Sequence, residues 1–466
     1  MTAQTPDCFR ARLDAMIDLR HPLAVLATRL PWAALAATLS PLLAKATREH
    51  EIPDRLDLLG IHSGTIVAAG VSPAGRPRLP IRLMCSLVYL KHAFNLSDEA
   101  LCERWAENVV WQYFSGMDYY EPRLPCDATQ IGRFRTDMGE AGLEAILKAT
   151  IDTAVVMTAI KAAEFERVIV DTTVQEKAIA YPTDARLLEI ARHHLVKAAK
   201  ACGIRLRQTF AKEGKQLRFK AGGHAHAKQF KRLKRVVKRQ RTIVGILIRE
   251  VRVKLGVLDN AATTAVGKAV TLLPSLTSQS KLTTLLERAE RLRTQQRSDK
   301  NKLYALHAPE VECISKGKAR NRYEFGVKVS LAITHKQGLM VGAKRFAGNP
   351  LDGHTLKAQL TQTNGLIAAS GKLVKQAVVD LGYRGVDKDN PDVEVIHRGR
   401  IKSMSKAEKK VLKRRQAVEP AIGHTKHDNG MLRCYLSGSI GDALHAISCA
   451  RAITSAGCCE RSCGWG

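Results

Sequence analysis

The most regular pattern in the sequence is Tyr323-Glu-Phe-Gly-Val-Lys-Val-Ser-Leu-Ala-Ile-Thr334. Apolar and aromatic side chains occupy every second position from Tyr323 to Ile333. Successive side chains of a strand point to opposite faces of its sheet, so this alternation predicts a half-buried antiparallel strand. The following His335-Lys-Gln-Gly338 predicts a turn, and residues 339–346 predict the returning strand.

Two shorter apolar runs extend this hairpin into a predicted sheet. They are Phe165-Glu-Arg-Val-Ile-Val170 and Leu373-Val-Lys-Gln-Ala-Val-Val379. Each run leads directly into an aspartate, Asp171 after the first and Asp380 after the second. Strands that alternate with helical segments indicate an α/β fold, in which residues at the carboxyl ends of neighbouring strands converge. Taken singly, either aspartate could instead be a turn former or a helix cap.

A third acidic residue lies on a predicted helix that Ser405 caps. Arg415 and Glu419 are four residues apart and Lys426 follows seven residues later, so the three share one helix face. A ladder of exposed salt bridges would show the same spacing. Pro420 argues against a plain ladder, because a proline should kink or restart the helix at that point.

The three carboxylates Asp171, Asp380 and Glu419 suggest a metal site. Clustered carboxylates repel one another, and a divalent cation with oxygen ligands relieves that repulsion. Two Mg²⁺ ions can activate a water or a 3′-hydroxyl for in-line attack on a phosphodiester. The sequence therefore predicts carboxylates that bind divalent cations beside a nucleic-acid backbone.

The charge of the chain points to the same kind of partner. Lys and Arg number 74 against 44 Asp and Glu, so the formal net charge is +30. Such an excess predicts a polyanionic partner, with nucleic acid as the leading candidate. The stretch between Arg205 and Lys254 has a helical pattern and is strongly basic. Its acidic residues are Glu213 and Glu250, which leave most of its positive charge unbalanced. Its doublets predict a surface that follows DNA phosphates rather than a merely solvated face: Lys231, Arg232, Lys234, Arg235, Lys238 and Arg239.

The sequence predicts no association with a membrane. The most apolar stretch, Leu23 to Ala44, is interrupted by Arg29 and two prolines, so it lacks the roughly 20 clean apolar residues of a span. The 11 cysteines are odd in number and dispersed, which indicates reduced thiols in an intracellular protein. Cys458, Cys459 and Cys463 cluster near the end, but they lack the paired second half of a zinc site.

Three motifs surround the predicted site. The first is Val168-Ile-Val-Asp171-Thr-Thr-Val-Gln-Glu-Lys177, and the second is Val378-Val-Asp380-Leu-Gly-Tyr-Arg-Gly385. The third is Arg415-x3-Glu419-x6-Lys426. With these motifs the chain resembles the bacterial insertion-sequence DDE transposases, in the group of insertion sequences four and five. Leu412 stands where the group's Tyr-x2-Arg-x3-Glu-x6-Lys signature has its tyrosine.

The resemblance implies a ribonuclease-H-like mixed sheet flanked by helices. In that fold Asp171 would lie on the central first strand, Asp380 would end the fourth strand, and Glu419 would lie on a later helix. The chain would then have five parts. These are a helical N-terminal domain (15–160), the first part of the catalytic domain (161–184), a large basic helical insertion after the first strand (185–300), the rest of the catalytic domain (301–450) and an irregular tail (451–466).

The resemblance also implies an activity, metal-dependent cleavage at transposon ends followed by strand transfer into target DNA. Asp171, Asp380 and Glu419 would be the catalytic metal ligands for Mg²⁺, for which Mn²⁺ can substitute. Arg415 and Lys426 would contact DNA near the cleaved strand, and the alternative for each is a salt bridge to Glu419. The implied partners are double-stranded DNA with terminal inverted repeats, target DNA and a second copy of the chain, so a homodimer on DNA is expected. The implied location is the bacterial cytoplasm, in association with the nucleoid.

Two other functions are left open by the sequence. One is a metal-dependent nuclease that cleaves DNA without strand transfer. The other is an inactive transposase remnant that only binds DNA, an alternative supported by Leu412 and by the unusual tail 457–466.

Overall fold

The computed structural model describes residues 11–43, 78–264, 276–315, 322–402 and 404–462. Within these ranges the helices are α1 (Leu13–Met16), α2 (Pro22–Arg29), α3 (Trp32–Leu43), α4 (Ile81–Ala93), α5 (Asp98–Glu107), α6 (Val109–Phe114), α7 (Ala128–Val156), α8 (Asp184–Ala201), α9 (Ala211–His226), α10 (Phe230–Thr264), α11 (Leu276–Thr294), α12 (Leu356–Ile367), α13 (Lys406–Lys413), α14 (Val418–His427) and α15 (Gly438–Ser462). The strands are β1 (Arg167–Lys177), β2 (Glu312–Ser315), β3 (Tyr323–Thr334), β4 (Met340–Phe346), β5 (Gln376–Val378), β6 (Glu394–Ile396) and β7 (Arg433–Cys434). The predicted α/β class is confirmed at this level, as a mixed sheet with many helices.

The described strands form one mixed sheet with β1 at its centre. On one side β1 pairs with β3 in antiparallel orientation, and on the other side it pairs in parallel with β5 and, further along, with β7. β2 and β4 both pair with the outer edge of β3, and β6 lies parallel to β5. The long strand β3 has the bounds that its alternating sequence predicts. A side chain at Gly326 would overlap the carbonyl oxygen of Gln175, so β1 and β3 approach closely there.

Apolar side chains from both faces of the sheet are buried against helices. On one face Val168, Val170 and Ala332 join a cluster that includes the N-terminal helices α2 to α7 and helix α12. On the other face Ile169 and Leu331 pack with residues of α14 and α15. The N-terminal helices and the sheet therefore share a hydrophobic core.

The end of the chain corrects one expectation. The sequence predicts an irregular tail from residue 451, whereas residues 451–462 continue helix α15, and residues 463–466 lie outside the described part. Long-range contacts hold this part of the helix: the guanidinium of Arg451 donates to the carbonyl oxygen of Val88 and lies over the ring of Tyr89, and Thr454 donates to the carbonyl oxygen of Met340. Because these partners are distant in sequence, the composition of the tail does not reveal them.

The basic region after β1 forms helices α8 to α11, which pack mainly against one another. They enclose a separate apolar cluster that includes Leu195, Leu247 and Leu286. This region therefore has a core of its own, distinct from the clusters on the two faces of the sheet.

No single described helix has the length and apolar composition to cross a membrane. The pair α2 and α3, bent by 67° at its break, meets the criteria of length and composition when taken together.

Candidate active site

Asp171 lies inside β1 rather than at its end, so the prediction that it ends a strand is wrong. The strand continues to Lys177 because its pairing with β3 extends through Glu176. The carboxylate of Asp171 is mostly buried, with 22% of the side chain exposed, and its Oδ1 accepts a hydrogen bond of 2.7 Å from the backbone N–H of Thr172. An acidic side chain in the central strand is thus held in a defined orientation.

Asp380 follows the end of β5 by two residues and precedes a single 3-10 turn. Parallel pairing joins Arg167 with Gln376 and Ile169 with Val378. Continued by two residues, this register brings Asp380 level with Asp171. The convergence predicted from the sequence therefore arises between the end of β5 and the middle of β1.

Arg415 connects the two aspartates. Its Nη1 lies 3.3 Å from Oδ2 of Asp171, and its Nη2 lies 3.8 Å from Oδ1 of Asp380. The structure thus brings together three of the predicted site residues from distant parts of the sequence. The positive charge of the guanidinium offsets the repulsion between the two neighbouring carboxylates.

The helix that carries Arg415, Glu419 and Lys426 is interrupted. The side chain of Ser405 and that of Glu408 form a reciprocal capping box at the start of α13, and a 3-10 turn, Arg414–Ala417, separates α13 from α14. The restart that Pro420 predicts is observed, because α14 begins at Val418. Arg415 lies in this turn and contacts Asp171 and Asp380, whereas the sequence offered a salt bridge to Glu419 as its alternative role.

Glu419 and Lys426 lie further along α14. Glu419 is exposed in the first turn of the helix, and Lys426 is half-buried near its end. Among the described residues, Asp171, Asp380 and Glu419 do not form a set of three metal ligands that all lie within 4.8 Å of one another. The structure therefore brings together two of the three predicted carboxylates, with Glu419 one turn beyond the arginine that links them.

Leu412 occupies the place of the signature tyrosine. Its side chain is half-buried and packs against the apolar cluster beneath α14, which includes Val418.

A further group beside the aspartates was missed by sequence reasoning. Oδ1 of Asp352 accepts hydrogen bonds from Oγ1 of Thr172 at 2.7 Å and from Nζ of Lys328 at 2.9 Å. A Cβ on Gly382 would lie 2.9 Å from the other carboxylate oxygen of Asp352. Asp352 thus packs against the residue after Asp171 and against the turn that follows Asp380. Asp352 begins the short polar segment Asp352-Gly-His-Thr355, but nothing in the sequence links that segment to β1.

The predicted phosphate-binding residues lie on the first part of α10. All six are exposed: Lys231, Arg232, Lys234, Arg235, Lys238 and Arg239. Arg239 forms a two-pronged ion pair with Glu213, and Lys254 pairs with Glu250. The two acids of this stretch are therefore already paired. Lys231, Lys234, Arg235 and Lys238 have no carboxylate partner in the described part of the chain.

Comparison with known proteins identifies the class. Residues 50–137 match the family model described as Transposase domain (DUF772), of which residues 78–137 are described here and form α4 to α6 and the start of α7. These findings define a transposase-family protein. Uncharacterized protein ORF8 in the nfe locus of Rhizobium meliloti is 40% identical over 224 residues, which are 48% of this chain and 95% of that protein. The chain belongs to the same family as that protein. No solved structure matches it significantly.

Proposed function

We propose that the chain is a DNA transposase of the DDE type, which cleaves DNA at the ends of its element and joins the freed 3′-hydroxyl to target DNA. The observation that carries this proposal is the contact of one guanidinium, that of Arg415, with both Asp171 and Asp380. Surface ion pairs do not usually gather three charged residues from such distant segments at the middle of a central strand. The transposase domain matched at residues 50–137 supports the same conclusion.

The sheet supports a ribonuclease-H-like arrangement for the catalytic part. That fold requires an aspartate on a central first strand and a second aspartate at the end of the fourth strand. Asp171 lies on the central strand β1, and Asp380 follows β5, which is the fourth strand if the four-residue β2 is set aside. Glu419 lies on a later helix, α14.

The donor set fits Mg²⁺ or Mn²⁺, because both cations prefer carboxylate oxygens. Asp171 and Asp380 would hold the cation, with Glu419 as the third carboxylate. When bound, such a cation lowers the pKa of water and compensates charge on a phosphodiester. The charge of Arg415 already occupies the position between the two aspartates, so a cation there would free the guanidinium to bind a phosphate oxygen in its forked geometry.

The remaining predicted residues would bind DNA around this centre. Lys426 would offer a point charge to the backbone near the cleaved strand, and the exposed basic residues of α10 would hold phosphates without sequence preference. The N-terminal helices would recognise the terminal inverted repeats. Two ends need two active sites, so we propose that the chain acts as a homodimer on DNA, in the bacterial cytoplasm at the nucleoid.

The test is a cleavage and joining reaction. Purified chain is incubated with Mg²⁺ or Mn²⁺, a linear DNA that carries the sequences flanking its gene, and a supercoiled target plasmid. We expect nicking at the element ends and joined product. Asp171→Asn, Asp380→Asn and Glu419→Gln should each abolish both products and retain DNA binding in a mobility-shift assay. The matched control is Asp392→Asn, because Asp392 is an exposed carboxylate outside the site.

Each other outcome has a defined meaning. Nicking that survives in any of the three site variants would reject the assignment of that residue. Cleavage without joined product would favour the nuclease alternative. Specific binding of the ends without nicking in either metal would favour an inactive DNA-binding remnant.

A further inference from the structure

A second group of potential metal ligands lies far from Asp171 in the sequence and is fully enclosed. His92 is on α4, and His445 and Cys449 are one turn apart on α15. All three side chains are buried, and one ligand atom from each lies within 4.8 Å of the others. Among the described residues, it is the single set of three such metal ligands.

The distances within the group match those around a metal ion. Sγ of Cys449 lies 3.4 Å from Nδ1 of His92 and 3.8 Å from Nε2 of His445. Around a tetrahedral zinc ion, with Zn–S near 2.3 Å and Zn–N near 2.0 Å, sulfur and nitrogen ligands stand roughly 3.5 Å apart. The side chains would therefore not have to move far to share one ion.

The chemistry of the three side chains suits a zinc ion. Thiolate with imidazole is a ligand set that zinc prefers over Mg²⁺ or Ca²⁺.

Hydrogen bonds alone account for the close contacts among these three side chains less well than a metal ion does. Nδ1 of His92 lies 3.3 Å from the carbonyl oxygen of Asn429, and Nε2 of His445 lies 3.1 Å from that of Gly430. Each of these nitrogens also faces the sulfur of Cys449, and one proton cannot serve both neighbours well. A central ion would contact both nitrogens and the sulfur at once. One further ligand, from a water or from one of the two neighbouring carbonyl oxygens, would complete the tetrahedral coordination.

We propose that His92, His445 and Cys449 bind one Zn²⁺ ion that ties α4 to α15. The Asn429–Gly430 turn, which follows α14, lies against the same site, and Nδ2 of Asn429 donates to the carbonyl oxygen of His92 at 3.0 Å. The ion would thus fasten an N-terminal helix, the C-terminal helix and the end of the helix that carries Glu419. The site is structural, and it does not depend on the proposed function. Binding releases the thiol proton of Cys449, so the affinity rises with pH.

The first experiment measures the metal content of the full chain. The protein is purified without a histidine tag and without chelator, and its metals are determined by plasma mass spectrometry. We expect about one zinc per chain. Replacement by Co²⁺ should give a sulfur-to-cobalt charge-transfer band. Absence of any metal, together with a melting temperature that does not rise on addition of Zn²⁺, would overturn the proposal, as would copper in place of zinc.

The second experiment uses variants and matched controls. Cys449→Ser and His92→Gln should each lose the bound zinc and the cobalt band. Cys202→Ser removes another buried thiol, in the cluster of α8 to α11, and should keep both. The triple variant Cys458→Ser, Cys459→Ser and Cys463→Ser should also keep them, and loss of the zinc from it would place the metal elsewhere.

The third experiment uses the wild-type chain, so it tests the proposal even if the variants do not fold. The wild-type chain is melted before and after treatment with a strong chelator, and again after Zn²⁺ is restored. We expect the melting temperature to fall and then recover. A melting temperature that the chelator leaves unchanged, while it strips the zinc, would contradict a structural role.

Discussion

At the scale of residues, the central strand β1 contains buried polar side chains whose partners its own sequence does not reveal. The half of β1 after Asp171 is polar apart from Val174, so it lacks the apolar residues that predict a buried strand. In the structure Gln175 and Lys177 are buried instead. Both contact Asp442 of α15, and Lys177 also contacts Glu310, so their partners are far away in sequence. A pattern within one segment cannot reveal such partners, and so β1 was predicted too short.

Lys177 makes the most deeply buried of these contacts. Its Nζ lies 2.7 Å from Asp442 and 2.8 Å from Glu310, and 6% of the lysine side chain is exposed. Lys177→Met would leave two buried carboxylates without a cation, so we expect the free energy of unfolding to fall by about 3–5 kcal/mol in urea denaturation. Lys148→Met is the control, because the Lys148–Asp152 pair is half-exposed and its loss should cost less than about 1 kcal/mol. Equal losses in both variants would contradict this account.

The surroundings of His335 predict that the stability of the protein depends on pH. Its Nε2 lies 3.0 Å from the carbonyl oxygen of Val411 on α13. Burial lowers the pKa of His335, and the nearby cations Arg167, Arg414 and Lys336 lower it further. The unfolded chain therefore takes up a proton at a higher pH than the folded chain does. As a result, stability is lost as the pH falls below 6.5.

The measurement is the urea midpoint of unfolding between about pH 7.5 and 5. We expect the midpoint to fall with pH more steeply for the wild type than for His335→Gln, since glutamine keeps a donor for Val411 but does not titrate. Parallel profiles for the two proteins would show that His335 does not contribute.

At the scale of elements, regular local patterns predicted structure well. β3 and the capped helix after Ser405 follow from alternation and from a capping residue, both of which act over a few residues. Asp171 and Asp380 were expected together because strand ends converge, and the parallel register between β1 and β5 brings them level. The contacts of Arg415 come from the 3-10 turn between α13 and α14. Spacing on an ideal helix could not show it.

The basic face of α10 makes its own prediction. Lys231, Lys234 and Lys238 are exposed and recur along one side of the helix. If they neutralise phosphates, the triple Lys→Gln variant should bind non-specific duplex DNA more weakly. It should also reduce the slope of log affinity against log salt by up to about 3. Fluorescence anisotropy across a salt series gives this slope.

The control for that prediction is a second triple variant of equal charge. Lys336, Lys375 and Lys388 are exposed lysines outside α10, and their replacement by glutamine should leave the slope nearly unchanged. Equal reductions in the two triple variants would show that net charge, and not the face of α10, determines the affinity.

At the scale of the whole molecule, the hydrophobic cores do not follow the order of the segments along the chain. The N-terminal helices share a core with the sheet, and α15 contributes Leu444 and Ile447 to that core as well as Ala446 to the cluster on the opposite face. These contacts join the N-terminal helices to helix α15. A boundary near residue 160 can be drawn from composition and charge, but composition carries no information about which apolar faces meet. The helices α8 to α11, by contrast, enclose a core from one continuous stretch.

This separate core predicts that the stretch folds by itself. A fragment of residues 183–308 contains the cap of α8, all of α8 to α11 and the buried residues Leu303 and Leu306 that close their cluster. We expect a helical circular-dichroism spectrum, a cooperative thermal transition and salt-dependent binding to duplex DNA. Leu247→Ala removes a fully buried side chain and should destabilise the fragment by about 3 kcal/mol. A fragment that is unfolded, or one that melts without cooperativity and is insensitive to Leu247→Ala, would show that these helices need the sheet to fold.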